Sequence, residues 1–232
     1  MTDIYRTPHV AIDAVLLTLK AGKLMVCLQR RDREPFLDQL ALPGGYVHVD
    51  HDQSTLDTAR RVLREKTGFV PRYIEQLGAF SGPGRDPRGW SIAVAYVALV
   101  PMEELEAVAQ GVFEFCDVDD LPELAFDHDE QVRMAVERVR NKSSYSTLPC
   151  WLLPEKFTLT DLQRTYEQVR GEQMTRATFR TRLGIKATEA AAGEADGSGD
   201  ILVATDEFRG GNQRPARLYS VNHLSLFEKA MW

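Results

Sequence analysis

The stretch that decides the fold of this chain is residues 42–70, LPGGYVHVDHDQSTLDTARRVLREKTGFV. It begins with a glycine turn at Gly44 and Gly45, continues through a polar loop, and then has the apolar spacing of a helix that closes at Gly68. We predict a helix over residues 54–66. Because positions 62, 65 and 66 stand at i, i+3 and i+4, their side chains share one helix face. The residue types on that face decide what it can bind.

The outline of this stretch resembles a Nudix box, which has a glycine, then a spaced glutamate, then Arg-Glu-apolar-any-Glu-Glu-any-Gly-apolar. Counting back from Gly68 places Arg61 on the arginine and Leu63 on the apolar position. The glutamate positions then fall on Gln53, Val62, Glu65 and Lys66. Only Glu65 is kept, and the spacing from Gly45 to Gly68 is longer than in the consensus.

A Nudix hydrolase needs oxygen ligands on this face, because they bind the magnesium that bridges substrate phosphates and helps to generate the attacking hydroxide. Val62 offers no ligand, and Lys66 places a positive charge where the metal would sit. The loop with Asp50, His51 and Asp52 carries groups that bind metals elsewhere, but a solvated loop needs no such role. We therefore predict no catalytic residue and no metal site, and leave weak residual hydrolysis open.

At 232 residues the chain exceeds the usual size of one domain, so two domains with separate cores are expected. The three cysteines, Cys27, Cys116 and Cys150, are far apart and lack neighbours at metal-binding spacing, as is typical of reduced thiols. No apolar run approaches the roughly 18 residues of a membrane span. The start, MTDIYRTPHV, lacks the basic residues and apolar core of a signal peptide. We expect a cytoplasmic protein without membrane contact.

Residues 1–140 are predicted to form the first domain. Its strands are expected at residues 10–19, 24–28, 72–80, 90–100 and 112–115, and its helices at residues 54–66 and 128–139. Strands interleaved with a few helices indicate the α+β class, here a mixed sandwich.

The turn-rich loop at residues 82–90, GPGRDPRGW, contains Arg85, Asp86, Arg88 and Trp90. Two guanidinium groups suit a pyrophosphate, and Trp90 offers a face for a base or a ribose. A proline-fixed turn with an internal Arg–Asp pair explains the loop equally well by itself. Residues 85–91, RDPRGWS, and 124–132, LAFDHDEQV, are similar to the matching segments of Nudix ADP-ribose pyrophosphatases. This resemblance implies an ADP-ribose-shaped pocket.

Residues 141–154, NKSSYSTLPCWLLP, break the helical pattern with serines and prolines, so we predict a linker there. In the second domain, residues 155–232, Thr158 and Asp161 form a variant of the capping box and Gly171 ends the helix that they begin. Thr175 is the expected N-cap of a second helix. Two short helices with so short a connection are typical of a helix-turn-helix, although helical hairpins also occur in unrelated proteins.

Two further strands are predicted at residues 201–205 and 218–221, on either side of the basic segment 209–217, RGGNQRPAR. A basic hairpin after a basic helix is typical of the wing of a winged helix, whose arginines reach phosphates or a minor groove. The competing interpretation is a solvated basic surface.

The two halves together resemble the Nudix-related transcriptional regulators of bacterial NAD metabolism, the NrtR family, in which a Nudix-like sensor precedes a C-terminal winged helix. The most specific segments are residues 71–77, PRYIEQL, 85–90, RDPRGW, and 214–219, RPARLY. The resemblance implies a homodimer that binds a palindromic operator, represses genes of NAD biosynthesis or salvage, and is released by ADP-ribose without a required cofactor. An active hydrolase of ADP-ribose or dinucleotides, and a regulator responding to a sugar or another metabolite, remain alternatives.

Site residues follow from this resemblance. The ADP-ribose site is expected to contain Arg85 and Arg88 at the phosphates, with Asp86, Trp90 and Glu65 beside them. The expected DNA-binding residues are Thr175, Arg176, Thr178, Arg180, Arg182 and Lys186 in and after the second helix, and Arg209, Arg214 and Arg217 in the wing.

Overall fold

A computed structural model describes residues 7–107, 112–184, 201–210 and 215–227. The chain divides into two compact units, one containing residues 7–18 and 25–136 and the other residues 19–24 and those from Glu137 onward. Within the described ranges, no helix is long and apolar enough to cross a membrane. Lys186 and Arg214, both predicted to bind DNA, lie outside the described residues.

From His9 to Ser143 the described chain forms strands with helices interspersed among them. They are β1 (His9–Lys20), β2 (Lys23–Arg30), β3 (Leu40–Ala41), β4 (Gly44–Tyr46), α1 (Thr55–Thr67), β5 (Tyr73–Gly82), β6 (Ser91–Leu99), α2 (Met102–Glu106), β7 (Glu114–Asp117) and α3 (His128–Ser143). The predicted strands and both predicted helices are present, and the α+β class is confirmed. Helix α2 and the very short β3 and β4 were not predicted.

The sheet of the first unit has the strand order β3-β2-β1-β6-β5. β1 pairs in parallel with β6 and antiparallel with β4, and β7 pairs antiparallel with β2. Residues 12–18 at the centre of β1 are all buried, so both faces of this strand are covered. Ala59 and Leu63 of α1 pack into the core clusters that contain β1 residues.

Local capping chemistry sets the ends of α1. The Ser54 hydroxyl accepts a hydrogen bond from the Asp57 amide, and Gly68 adopts a left-handed φ of 78° while its amide bonds to the Arg64 carbonyl. The glycine turn that precedes the helix serves close packing instead. A Cβ atom on Gly44 would stand 2.7 Å from Oδ1 of Asp13, and one on Gly45 would stand 2.9 Å from Cγ2 of Val62.

The second unit contains a 3-10 turn (Leu148–Leu152), α4 (Leu159–Arg170), α5 (Arg176–Arg182), β8 (Val203–Arg209) and β9 (Ala216–Ser220). Strands β8 and β9 form an antiparallel hairpin, which is the predicted wing. The rings of Tyr166 and Phe179 meet edge to face at 5.7 Å and pack α4 against α5. This part of the chain is a winged helix-turn-helix.

Residues 141–154, expected to form a linker, contain the end of α3 and the 3-10 turn, whose five residues are all buried. The Tyr166 hydroxyl donates to the Ser146 carbonyl at 2.6 Å and joins this stretch to α4. The serines and prolines that broke the helical pattern therefore belong to a packed turn within the second unit.

Candidate ligand cavity and nucleic-acid interface

A cavity of about 300 Å³ opens in the first unit between residues of β1, β2, β4, α1 and the loops before β6 and α3. Six cationic side chains line it: Arg30, Arg31, Arg33, Lys66, Arg85 and Arg88. Three carboxylates also line it: Asp13, Asp32 and Asp86. The excess of positive charge favours an anionic ligand.

Two of these cations have no carboxylate within salt-bridge distance in the described part of the chain. Among the described residues, neither Arg31 nor Lys66 forms a salt bridge, whereas the other four lining cations do. Arg31 donates instead to the carbonyls of Pro35 and Arg33. Burial, together with the charges of Arg88 and Arg33, lowers the pKa of the Arg31 guanidinium. An anion placed beside Arg31 would relieve that repulsion.

Arg85, predicted to bind phosphate, is held by internal partners. Its Nε and Nη2 donate to Asp127 at 2.8 Å each, and its Nη1 donates to the Ser91 hydroxyl at 3.1 Å. Asp13 lies 3.6 Å away, and only 9% of the Arg85 side chain is exposed. Arg85 therefore lines the cavity with its guanidinium already occupied.

Arg88, the other predicted phosphate ligand, forms a bidentate pair with Asp86, with distances of 2.9 Å from Nε to Oδ1 and 2.7 Å from Nη2 to Oδ2. Its side chain is 38% exposed, whereas that of Asp86 is only 5% exposed. The guanidinium also lies 5.7 Å from the Tyr46 ring and 5.8 Å from the Phe126 ring. Asp86 thus orients an arginine that still faces the cavity.

Phe126, which lines the cavity, belongs to an aromatic pair. The rings of Phe36 and Phe126 meet edge to face at 4.7 Å, and the Arg31 guanidinium stacks over Phe126 at 4.8 Å. Both phenylalanines have left-handed backbones, with φ of 66° and 58°. Bulky side chains rarely adopt this conformation, and such strain is concentrated at functional sites.

The altered Nudix-box positions have clear structural consequences. Lys66 lines the cavity. Val62 is buried and packs against the glycine turn at Gly45. Glu65 has a side chain that is 55% exposed and bonds to Arg61 instead of reaching the cavity. Gln53 is exposed.

These residues do not fit a magnesium ion. Val62 supplies no oxygen, Lys66 would repel the cation, and Glu65 stands alone beside Arg61. Through the part of the chain that the structure describes, no group of three or more His, Cys, Asp or Glu side chains is placed to hold a metal. Asp52, considered as a substitute ligand, is hydrogen-bonded to Arg61.

Trp90 completes the set of predicted ligand residues. The residue is 48% exposed and is not part of the cavity wall, although its carbonyl accepts from the His9 amide. The structure thus brings Arg85, Asp86 and Arg88 to the cavity and leaves Trp90 and Glu65 outside it.

Several residues that line the cavity were not predicted from the sequence, among them Asp13, Arg31, Tyr46, Phe126 and His128. One available signal was the aspartate within the apolar run of β1, because a buried charge requires partners. The cationic cluster RRDR at residues 30–33, which begins with the last residue of β2, was another. The left-handed backbones gave no signal that could be recognised in the sequence.

In the second unit, α4 and α5 are joined as predicted. Thr158 and Asp161 form a reciprocal capping box, Gly171 ends α4 with a left-handed φ of 72°, and the Thr175 hydroxyl caps α5. The Glu167 carboxylate accepts from the Met174 amide at 3.0 Å and so anchors the connection to α4.

The polar face of α5 is open to solvent at its start. Thr175, Arg176 and Thr178 are exposed, whereas Arg180 and Arg182 are half-buried. Nε of Arg180 is buried and has no hydrogen-bond acceptor within the described ranges. The two described wing arginines are engaged internally, since Arg209 binds Asp161 and Arg217 donates to the Thr205 carbonyl.

Comparisons with known proteins agree with this architecture. A NUDIX domain model matches residues 7–136, and a model of the NrtR DNA-binding winged helix domain matches residues 149–189. The chain is 33% identical over 219 residues to an ADPR-responsive transcriptional repressor of Acinetobacter baylyi, covering 93% of this chain and 82% of the relative. It is also 35% identical over 131 residues to an ADP-ribose pyrophosphatase of Methanocaldococcus jannaschii, covering 56% and 74%.

Solved structures of related proteins have the same architecture. Shewanella oneidensis NrtR in complex with a 27mer DNA superposes with a TM-score of 0.82 at 33% identity, covering 95% of this chain and 98% of that one. The NUDIX domain of the same protein in complex with ADP ribose superposes with a TM-score of 0.52 at 36% identity, covering 60% and 92%.

Proposed function

This chain belongs to the NrtR family of Nudix-related transcriptional regulators, and we propose from this premise that it is a repressor that ADP-ribose releases from its operator. The observation that carries the proposal is Lys66, which lies on the helix face that binds magnesium in hydrolases and lines the cavity as a cation without a carboxylate partner in the described chain. A positive charge there supports the binding of a diphosphate without its hydrolysis.

For the ligand, we propose that Arg31, Lys66 and Arg88 contact the diphosphate, because their charges face the cavity and Asp86 fixes the direction of Arg88. The rings of Phe126 and Tyr46 offer stacking surfaces for adenine. Arg85 acts as a positioning residue that holds the loop before β6 to the start of α3 through Asp127. ADP-ribose is an effector in this account, and no cofactor is required.

For DNA, we propose that α5 enters a major groove with Thr175, Arg176, Thr178, Arg180 and Arg182, while the β8–β9 wing follows the backbone with Arg209 and Arg217. Lys186 and Arg214 complete the set proposed from the sequence. A homodimer presents two such helices to the half-sites of a palindrome about 34 Å apart or a multiple of that distance.

The signal and the target genes follow from this ligand. ADP-ribose is a product of NAD turnover, so a repressor that it releases suits genes of NAD biosynthesis or salvage. We propose that the protein acts in the cytoplasm. Ligand and operator need only favour different conformations of the dimer for each to weaken the binding of the other.

A second candidate is an ADP-ribose pyrophosphatase, favoured by the pyrophosphatase relative that matches the first unit. It requires a metal site that Val62, Glu65 and Lys66 do not supply. Release of AMP from ADP-ribose in magnesium measures this activity directly. Turnover that disappears in Glu65→Gln would support the enzyme and overturn the repressor with an inactive box.

The DNA part of the proposal is tested with symmetric duplexes whose half-sites are spaced by a whole or a half helical turn. The sequence of the half-sites is taken from the region that the protein protects in a footprint of DNA from upstream of its own gene. We expect tight binding only at whole-turn spacing, since both recognition helices then reach the same face of the duplex. Equal binding at both spacings would contradict a symmetric dimer.

A further inference from the structure

Asp13 is one of the three carboxylates in the wall of the cavity. It lies in the apolar strand β1, and only 7% of the residue is exposed. Its Oδ2 accepts from Nε2 of Gln131 at 2.9 Å, with Nε2 of His128 at 3.5 Å and Nη2 of Arg85 at 3.6 Å. This carboxylate is therefore held in one orientation by three side chains.

The second oxygen of Asp13 is available to a ligand. Through the described residues, no hydrogen bond reaches Oδ1, which lies over Gly44, where a Cβ atom would stand only 2.7 Å from it. Asp13 and Gly44 both line the cavity. A side chain at Gly44 would collide with Oδ1, so close packing requires glycine there. Oδ1 is not among the buried side-chain atoms without a partner in the described residues, which agrees with the place of Asp13 in the cavity wall.

The carboxylate of Asp13 disfavours a phosphate group beside it and favours a neutral ligand group that carries hydroxyls. Burial opposes ionisation, but His128, Gln131 and Arg85 together hold the pKa of Asp13 below its ordinary value, so the carboxylate is charged near neutral pH. An ionised carboxylate only accepts hydrogen bonds and repels phosphate oxygens. A neutral ligand group with hydroxyl donors fits it, and a ribose diol is the hydroxyl-bearing part of the proposed effector.

We propose that Asp13 is the residue that recognises a ribose of the effector, accepting a hydrogen bond from a ribose hydroxyl at Oδ1 while the cations of the cavity hold the diphosphate. The inference rests on the proposed function, since it assigns a role within the same cavity. It makes Asp13 a specificity residue that separates ribose-bearing diphosphates from bare polyphosphates.

The test compares two ligands on one variant. In Asp13→Asn the shape is kept and the charge is removed, so calorimetry should show about tenfold weaker binding of ADP-ribose, the scale of a lost charge-assisted hydrogen bond. Binding of inorganic pyrophosphate should stay equal or become tighter, because an anion near its site is gone. A loss for ADP-ribose without a loss for pyrophosphate cannot come from a general collapse of the cavity.

Asp127→Asn is the matched control, because it removes a carboxylate of the same network that is not part of the cavity wall. We expect it to move the affinities for ADP-ribose and pyrophosphate in the same direction. Unchanged ADP-ribose binding by Asp13→Asn, or parallel losses for both ligands in it, would overturn the inference. A parent protein that binds pyrophosphate but not ADP-ribose overturns the proposed effector as well.

Ligand analogues test the same contact on the unaltered protein, in case Asp13→Asn does not fold. An ADP-ribose that lacks a ribose hydroxyl should bind about tenfold more weakly. If ADP loses as much affinity as ADP-ribose in Asp13→Asn, the adenosine ribose is the one bound, and if only ADP-ribose loses affinity, it is the terminal ribose. Full affinity for every deoxy analogue would overturn the contact.

Discussion

Arg61 holds Asp52 with two hydrogen bonds, from Nε to Oδ1 at 2.9 Å and from Nη2 to Oδ2 at 2.8 Å. The same carboxylate accepts from the His48 amide and the Thr58 hydroxyl, so it closes the loop before α1 onto the helix. The Nudix-box arginine thus has a structural partner that does not depend on magnesium. The box keeps its shape through this pair although three of its four glutamate positions carry other residues.

Asp52→Asn should lower the melting temperature of the first unit. The hydrogen bonds of Arg61 hold the pKa of Asp52 far below its ordinary value, which shows that the ionised form is the one the fold stabilises. Glu65→Gln is the matched control, because Glu65 meets the same arginine at its exposed end, where a salt bridge contributes little. Thermal denaturation followed by circular dichroism measures both, and equal losses would contradict the assignment.

Arg88→Ala should weaken ADP-ribose binding by more than about 1.5 kcal/mol, the scale of a lost charge-assisted hydrogen bond. It also leaves the buried Asp86 unpaired, so the melting temperature should fall as well. Isothermal calorimetry measures the affinity. Arg133→Ala, which breaks an exposed pair with Asp129 away from the cavity, should leave binding unchanged, and equal affinity in Arg88→Ala would remove Arg88 from the site.

The features that could be predicted from the sequence depend on residues close together in the chain, whereas the features that were missed depend on residues far apart in it. The caps at Thr158, Gly171 and Thr175 depend on residues within one helical turn, so their pattern was sufficient to predict them. Likewise, the strands of the first unit follow from local apolar runs.

The cavity depends on contacts between distant residues. Arg85 was expected to be free for phosphate because its partner Asp127 lies 42 residues further along the chain. Phe126 reaches the cavity through a left-handed backbone that its residue type disfavours, so propensity argued against it. The packing within residues 141–154 was not apparent for a related reason, since burial of Trp151 and its neighbours is a tertiary effect.

Acid should destabilise the first unit. The charges and hydrogen bonds of their partners hold the pKa values of Asp13, Asp86 and Asp127 below the ordinary 3.8, even though burial opposes this. A carboxyl with a lowered folded-state pKa contributes stability above its unfolded value and loses it as the pH falls through the folded one. Melting temperature should therefore fall below about pH 3.8, and less steeply in Asp127→Asn. A constant melting temperature in that range would contradict these assignments.

Arg180→Ala should lower operator affinity and leave ADP-ribose binding intact, because Arg180 lies in α5 of the second unit. Arg60→Ala removes the same charge from an exposed position on α1 and should leave both affinities unchanged. Fluorescence anisotropy over a range of salt concentrations measures the effect, with a salt slope reduced by about one if Arg180 meets a phosphate. Equal operator binding by the Arg180→Ala variant and the parent would exclude it from the interface.

The most direct measurement follows DNA binding and chemistry in one sample. The purified protein is bound to labelled DNA from upstream of its own gene in magnesium buffer, ADP-ribose is added, and anisotropy and AMP are recorded together. The account predicts that ADP-ribose dissociates the complex while no AMP forms. Steady AMP production with DNA binding unaffected by ADP-ribose would contradict it and identify the first unit as a working hydrolase.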